Sequence, residues 1–242
     1  SRRRPTCYPE VVALDRQTLD RISFDDFFFL PSAAKLSLAL TPFWSDQDFL
    51  DINGWCKKIE CEVEDLLLVL TSESRLRPDA QTPRVGSPIG VGLNQMTRVA
   101  FQSMGTLPAD DNLAKVQFIK LAQDVLKMSV KEQFEKIVIP FFLDTDKKYG
   151  GRPWSAVRLY MANAGAPLLS YGADPKIVIY PKGSNSYDMN KPLDTNSDGQ
   201  ITIGDLITAV DYHKKTPEYV AAVYRYRKVN DLYPFRNPSL PG

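Results

Sequence analysis

Carboxylates are the side chains best placed to do chemistry in this chain, because few other catalytic types are present. Its 242 residues include 29 aspartates and glutamates but one histidine, His213, and three cysteines, Cys7, Cys56 and Cys61. The cysteines have no metal-ligand spacing and are too few, and odd in number, for a disulfide framework. The composition therefore argues against a zinc site or a histidine-based triad. Chemistry here must use carboxylates, hydroxyls, the backbone or a hard cation.

One carboxylate, Glu73, stands where an apolar run ends. It lies in LLLVLTSESRLRPDA, the stretch from Leu66 to Ala80, directly before an arginine-proline break. An acid that protonates a leaving oxygen must stay neutral at about pH 7, and apolar surroundings raise the pKa of a carboxyl in this way. From this stretch alone, a solvated residue at a helix end is the commoner explanation, because perturbed acids are a minority.

Two further stretches have residue types suited to binding a ligand. GVGLNQM contains Gly90 and Gly92, which remove side chains from a turn and let a ligand approach the backbone. Gln95 in that stretch and Asn163 in YMANAGAP have side-chain amides that can both donate and accept hydrogen bonds. Amides equally often brace loops, so each stretch is a weak signal by itself.

In this order, on helices separated by loops, the three stretches resemble the lytic transglycosylase domain of the soluble-lytic type, within the lysozyme-like superfamily. That family has Glu-Ser followed by Pro-x-Ala, then Gly-x-Gly-Leu-x-Gln-Met, then an Ala-x-Asn-Ala-Gly turn; the resemblance covers residues 48–170. It implies that Glu73 acts as acid on the leaving group and then as base on the 6-hydroxyl of N-acetylmuramic acid, giving a 1,6-anhydro sugar. The residues that it implies for binding the peptidoglycan glycan strand are Ser74, Gly90, Gly92, Leu93, Gln95, Met96, Tyr160 and Asn163.

The chain departs from the family pattern in two places. QTPRVGSPI, between Ala80 and Gly90, is longer than the usual link, and Ala162 stands where the family has a tyrosine, which leaves Tyr160 or Tyr171 to support the acid. Three hypotheses therefore stay open. They are a lytic transglycosylase, a hydrolytic muramidase that adds water with help from a second carboxylate, and a non-catalytic peptidoglycan-binding or virion structural module.

A second motif, DTNSDGQITIGD, has the spacing of an EF-hand calcium loop, with Gly199 at the sharp turn. Asp205 is shorter than the usual glutamate, which brings bidentate ligation into question. Dockerin-type loops also have aspartate there, but only one such loop is found. We expect one structural Ca²⁺ rather than a sensor; the alternative is a polar turn without metal. The predicted ligands are Asp194, Asn196, Asp198, Gln200, Thr202 and Asp205.

The stretch YDMNKPLDTNSDGQIT, residues 187–202, resembles the continuation of transglycosylase-like domains of phage and prophage origin. The resemblance implies an enzyme associated with a bacteriophage virion or tail that degrades peptidoglycan in the bacterial periplasm or cell wall. Other virion or tail proteins are then candidate partners. The bacterial cell envelope is the alternative location.

The elements that must position these residues are mostly helices. Apolar residues recur at spacings of three and four from Phe49 to Leu70, with a break between two helices at Cys61-Glu62. Residues 78–92 are predicted as a loop, 94–104 as helix, and Lys176–Tyr180 as the best strand. A helix is predicted over 113–128 with an inner face of Leu113, Val116, Ile119, Ala122 and Leu126. Ser129 is predicted to cap the next helix, and residues 153–164 to form a further one.

These patterns predict a mainly α protein: a lysozyme-like transglycosylase domain with an EF-hand-like loop and irregular N- and C-terminal extensions. The predicted segments are a lead-in over residues 1–47, the transglycosylase domain over 48–180, the calcium segment over 181–213, and an extension over 214–242 that packs on the domain. A net charge of +1 gives no global attraction to nucleic acid or membrane. No apolar run approaches the roughly 20 residues that span a bilayer.

Overall fold

The computed structural model describes Phe27, residues 33–82 and residues 90–232. In these residues the chain is mainly α-helical, as the sequence predicts. The helices are α1 (Ala33–Leu40), α2 (Asp46–Ile59), α3 (Val63–Ser74), α4 (Arg98–Ser103), α5 (Asp111–Val125), α6 (Val130–Gln133), α7 (Ile139–Tyr149), α8 (Ala156–Gly165), α9 (Asn185–Asn190), α10 (Ile203–Tyr212) and α11 (Pro217–Val229).

Shorter elements connect these helices. A π-helical turn, Phe134–Val138, joins α6 to α7, and 3-10 turns cover Ala166–Tyr171, Lys191–Leu193 and His213–Lys215. Two very small antiparallel sheets complete the described structure. One pairs β1 (Gly90–Val91) with β2 (Met96–Thr97), and the other pairs β3 (Val178–Tyr180) with β4 (Ile201–Thr202). No helix in the described residues has both the length and the apolar character needed to cross a membrane.

Helix α3, which ends in the candidate acid, is the centre of the fold. Its residues Leu66–Leu70 are completely buried, and a helix that is apolar all round belongs in a core rather than on a surface. Helices α2, α8, α10 and α11 pack against it. The central part of α3 is enclosed by these helices, and Glu73 follows it in a partly exposed position at the C-terminal end.

Serine caps begin two of the helices. Ser45 and Ser129 each cap a helix through a reciprocal capping box, the first with Asp48 and the second with Glu132. The predicted break at Cys61-Glu62 is confirmed, because α2 ends at Ile59 and α3 begins at Val63.

Two sequence-based predictions need correction. Residues 94–97 are not helical: Met96–Thr97 forms β2, and the helix begins at Arg98 after Thr97 caps it. The helix predicted over 113–128 is found over 111–125; Ala122 is buried as predicted, but three of the five residues predicted for its inner face are exposed. Leu113, Val116 and Ile119 are 48%, 69% and 46% exposed, whereas the buried residues are Ala114, Phe118, Ala122 and Val125.

The physical reason for the second error is that two apolar stripes with helical spacing run along α5. Phe118 packs against Phe101 of α4, with ring centroids 6.1 Å apart. This contact with another helix decides which stripe faces inward. The spacing of apolar residues along α5 cannot distinguish the two stripes.

The segment over residues 181–213, predicted to bind calcium, and the segment that follows it contribute to the same packed structure as α3. Ile201, Ile203, Leu206 and Val210 belong to the apolar cluster that also contains α3. Helix α11 packs on α1, α2 and α3. Its arginines pair with carboxylates of other helices, Arg225 with Asp46 and Arg227 with Glu64.

Candidate active site

The backbone turns sharply directly after the candidate acid. Arg75 and Leu76 follow α3 with φ angles of 54° and 62°, and both are left-handed, which costs a non-glycine residue on the order of 1–2 kcal/mol. Leu76 is buried, and its carbonyl accepts a hydrogen bond of 2.8 Å from the indole N–H of Trp44. This contact holds the turn and fixes Glu73 at the helix end.

Burial dominates the electrostatics of Glu73. Loss of solvent raises the pKa of its carboxyl from 4.5 to about 7, and a weaker effect from the Asn163 amide lowers it. A group with this pKa is protonated in about half of the molecules near neutral pH. It can therefore both donate a proton and accept one back, which general acid–base catalysis requires.

Asn163 on α8 faces this carboxyl. Both polar atoms of its amide are buried, and neither has a hydrogen-bond partner of good geometry among the described residues. Leaving such a group unsatisfied costs about 1–3 kcal/mol. Buried polar groups without partners are uncommon and call for an explanation such as a role in binding or catalysis.

Three tyrosines extend the site. Burial, followed by the charge of Glu73 and then by Tyr180, raises the pKa of Tyr160 to about 12. Tyr160 and Asn163 are three residues apart on α8 and so share a face of that helix. Burial also raises the pKa of Tyr180 on β3, with a smaller contribution from Tyr171. Both tyrosines considered as supports for Glu73 therefore lie in the group, Tyr160 beside the acid and Tyr171 beside Tyr180.

Tyr180 was not predicted as a site residue. The sequence predicts a strand over Lys176–Tyr180, and β3 forms there. The register that brings this strand beside α8 depends on its pairing with β4, more than 20 residues later. The sequence shows only an aromatic residue at the end of a predicted strand, and that signal does not indicate which side chains lie beside Tyr180.

The glycine-containing stretch forms a closely packed hairpin and not an open turn. Gly92 has a φ of 77°, and a Cβ built there would lie 2.5 Å from Oε1 of Gln133. The Gln95 amide donates to the carbonyl oxygens of Ala80 (3.2 Å) and Gly92 (2.9 Å), and it accepts from the Thr82 hydroxyl (2.7 Å). These hydrogen bonds tie the Gln95 side chain to the hairpin and to the segment before it.

The other residues predicted to bind glycan are placed as follows. Leu93 and Met96 are 0% and 2% exposed and belong to the core. Gly90 is buried in β1, where a Cβ would lie 2.7 Å from the Gln95 carbonyl oxygen. Ser74 is buried and donates its hydroxyl hydrogen to the Leu70 carbonyl oxygen. The structure thus gathers Tyr160 and Asn163 around Glu73 and uses the remaining residues as support.

Gln133 is a positioning residue that the sequence did not reveal. It is buried, and its amide N–H groups donate to the carbonyl oxygens of Pro78 (2.6 Å) and Val125 (3.0 Å). Its carbonyl oxygen accepts from the backbone N–H of Leu93 at 2.8 Å. One side chain therefore joins the turn after Glu73, the hairpin and the end of α5. A polar residue on the apolar face of a helix was the only signal.

We expect Gln133→Leu to lower the free energy of unfolding by about 3 kcal/mol, because three buried backbone groups lose their partner. Urea unfolding followed by circular dichroism measures the change. Gln123→Leu is the matched control, since Gln123 lies exposed on α5 and should change stability by less than about 0.5 kcal/mol. Equal effects of the two substitutions would contradict the role given to Gln133.

The predicted cation loop has the expected backbone and part of the expected ligand set. Gly199 turns with a φ of 90°. The side-chain oxygens of Asp194 and Asn196 both accept a hydrogen bond from the backbone N–H of Asp198, at 3.2 and 2.9 Å, which places them on one side of the loop. Side-chain oxygens at the first, third and fifth loop positions fit a hard cation.

Asp205, at the last loop position, is engaged elsewhere. One carboxylate oxygen accepts from Thr195 and the other from Thr202, whose side chain caps α10 in return. The described residues contain no group of three histidine, cysteine, aspartate or glutamate side chains arranged to hold a metal ion. Asp205 would have to give up these hydrogen bonds before both of its carboxylate oxygens could bind a cation.

Comparison of the chain with protein-family models, with curated protein sequences and with solved structures found no match.

Proposed function

We propose that this protein is a lytic transglycosylase that cleaves the β-1,4 bond between N-acetylmuramic acid and N-acetylglucosamine in peptidoglycan. The observation that supports this most strongly is Glu73, a carboxyl whose pKa burial raises to about 7, beside the buried amide of Asn163, which has no hydrogen bond of good geometry among the described residues. A glycan supplies both groups that this pair needs: an oxygen to protonate and an N-acetyl group to bind the amide.

The reaction needs a single carboxyl that acts twice. Glu73 first donates its proton to the glycosidic oxygen, and the bond from that oxygen to C1 of the muramic acid breaks. The Glu73 carboxylate then removes the proton from the 6-hydroxyl of the same sugar while its oxygen bonds to C1. The acid is regenerated, no water is consumed, and the product is a 1,6-anhydro sugar.

The surroundings of Glu73 favour this route over hydrolysis. A glycoside hydrolase of the common two-carboxylate kind places its second carboxyl about 5–9 Å from the first. The pKa of Glu73 responds to burial and to Asn163, with no contribution from another carboxylate of the described residues. Segment 83–89, which lies between Thr82 and Gly90 and outside those residues, has no aspartate or glutamate in its sequence.

The composition of the products tests the proposal. Purified peptidoglycan digested by the protein should release muropeptides with anhydro-muramyl ends, which mass spectrometry separates from reducing ends by one water. Reducing ends would establish the hydrolytic muramidase. Failure to release products, from a chain shown by circular dichroism to be folded, would establish a binding or structural module.

The same proposal includes one structural Ca²⁺ at the loop of residues 194–205, and an association with a phage virion or tail. The calcium site is supported by the loop conformation and by the oxygen atoms of Asp194, Asn196 and Asp198. The virion association is supported only by the resemblance of residues 187–202 to phage sequences. A calcium ion there would hold the loop beside β4, whose partner β3 has Tyr180.

Calcium is expected to raise the thermal unfolding midpoint, because an ion that binds only the folded state stabilises it by about 3 kcal/mol at a hundredfold excess over its dissociation constant. Differential scanning calorimetry with calcium and with a chelator measures the shift. Asp198→Ala should remove the shift, and Asp124→Ala, an exposed aspartate on α5, should keep it. A shift that persists in Asp198→Ala would place the ion elsewhere.

A further inference from the structure

The end of α2 brings two thiols together. Helix α2 stops where Glu60 adopts a left-handed conformation with a φ of 61°, and the N–H of Glu60 bonds back to the Cys56 carbonyl. The N–H of Cys61 donates to the same carbonyl oxygen at 3.2 Å. This six-residue bond is the one that ends a helix in the Schellman motif, in which the two residues that it joins also contact each other through their side chains. Here both residues are cysteines.

The surroundings hold the Cys61 end of this turn. The backbone of Cys61 forms a parallel bridge with Trp154, and the N–H of Trp154 lies 3.4 Å from the Glu60 carbonyl oxygen that accepts it. The guanidinium of Arg152 also pairs with the Glu60 carboxylate. The separation of the two cysteines is therefore set by the folded backbone rather than by chance encounter.

The two sulfurs differ in access. Cys56 is 2% exposed, whereas Cys61 is partly exposed, and both are free thiols. A hydrogen bond with Cys61, followed by burial, raises the pKa of the Cys56 thiol far above its usual value. A disulfide reagent in solvent must therefore react first with Cys61, and Cys56 is the group that resolves the product.

We propose that Cys56 and Cys61 are a redox modification site that closes to an intramolecular disulfide when the chain meets a small disulfide such as oxidised glutathione. The Cys61 thiolate attacks one glutathione sulfur, the glutathione disulfide bond breaks, and one glutathione thiolate leaves. Cys56 then loses its proton to solvent and attacks the Cys61 sulfur, which releases the second glutathione thiolate. Two protein thiols are oxidised and one glutathione disulfide is reduced.

The sequence provides a direct assay, because Lys57 and Lys58 lie between the two cysteines. The full-length chain is equilibrated with a glutathione redox buffer, its remaining thiols are alkylated, and it is digested with trypsin without reduction. The expected product is a disulfide-linked pair of peptides, residues 36–57 and 59–75. A chain with glutathione on Cys61 and no linked pair, or with Cys7 in the linkage, would overturn the proposal.

A comparison with the unfolded chain tests whether the fold creates the site. At one glutathione ratio, the folded chain should have a disulfide-to-dithiol ratio at least about tenfold above that of the chain in urea, because the thiols are already held together. Equal ratios would show that the helix end contributes nothing. Both measurements use the native chain.

Single substitutions separate the roles of the two sulfurs. Cys56→Ser should accumulate the mixed disulfide at Cys61, and Cys61→Ser should leave Cys56 unmodified. Because Cys61 is partly exposed, the Cys61→Ser chain should still fold. It therefore tests the order of attack even if the Cys56→Ser chain does not fold. Modification of Cys56 in the Cys61→Ser chain would contradict the proposed order of attack.

Discussion

Glu73→Gln is expected to lower the release of soluble muropeptides from purified peptidoglycan by about a thousandfold, because a positioned acid–base group contributes about 10²–10⁴ to a rate. Glutamine keeps the size of the side chain and its ability to contact Asn163, but it can neither donate the proton to the glycosidic oxygen nor accept one from the 6-hydroxyl. The initial rate of product release, measured by mass spectrometry against an internal standard, gives the ratio.

The matched control is Glu135→Gln, which removes an exposed carboxylate whose nearest cation, Lys131, is 3.9 Å away. It should leave the rate unchanged. A Glu73→Gln chain that kept more than about a tenth of the activity would exclude Glu73 as the acid. Anhydro products from the native chain together with inactive Glu73→Gln would support a single carboxyl acting in both steps.

The same substitution is expected to stabilise the protein at alkaline pH by about 3 kcal/mol. The pKa of Glu73 is about 7 in the folded chain against an ordinary value of 4.5, and each unit of difference corresponds to about 1.4 kcal/mol. The folded state binds the proton more tightly than the unfolded state. The free energy of unfolding of the native chain therefore has its full value below the ordinary pKa of Glu73. It falls as the pH rises towards and through the folded pKa.

Urea unfolding at a series of pH values from acidic to alkaline measures this difference. Glu73→Gln and the native chain should have similar free energies of unfolding below the ordinary carboxyl pKa and should diverge up to about pH 7. Parallel curves would show that Glu73 is not desolvated in the folded state. A stabilised but inactive Glu73→Gln chain also rules out unfolding as the reason for lost activity, since active sites commonly exchange stability for function.

The helical architecture could be predicted from the sequence because its determinants are local. Ser45 and Ser129 cap helices through contacts three residues away, and the break at Cys61-Glu62 interrupts an apolar stripe that each helix continues by itself. Glu73 could also be placed at a helix end from the apolar run before it and the arginine-proline break after it. Such features depend on neighbours within one or two turns.

The inner face of α5 and the support of the site could not be predicted, because they depend on contacts between distant segments. The buried stripe of α5 is selected by Phe101 on another helix. Gln95 has the residue type to bind a ligand, yet its amide braces the hairpin against Ala80 and Thr82. Gln133 reaches Pro78 across 55 residues.

The sequence by itself determined the mainly α class, the break between α2 and α3, and the order of the three stretches that contain Glu73, Gly92 and Asn163. Only the tertiary structure decided that burial raises the pKa of Glu73, that Tyr180 joins the group around it, and that the buried amide of Asn163 faces the Glu73 carboxyl. The physical reason is that desolvation and unsatisfied hydrogen bonds are produced by everything packed around a group. That packing is assembled here from α3, α8 and β3, which are far apart in the chain.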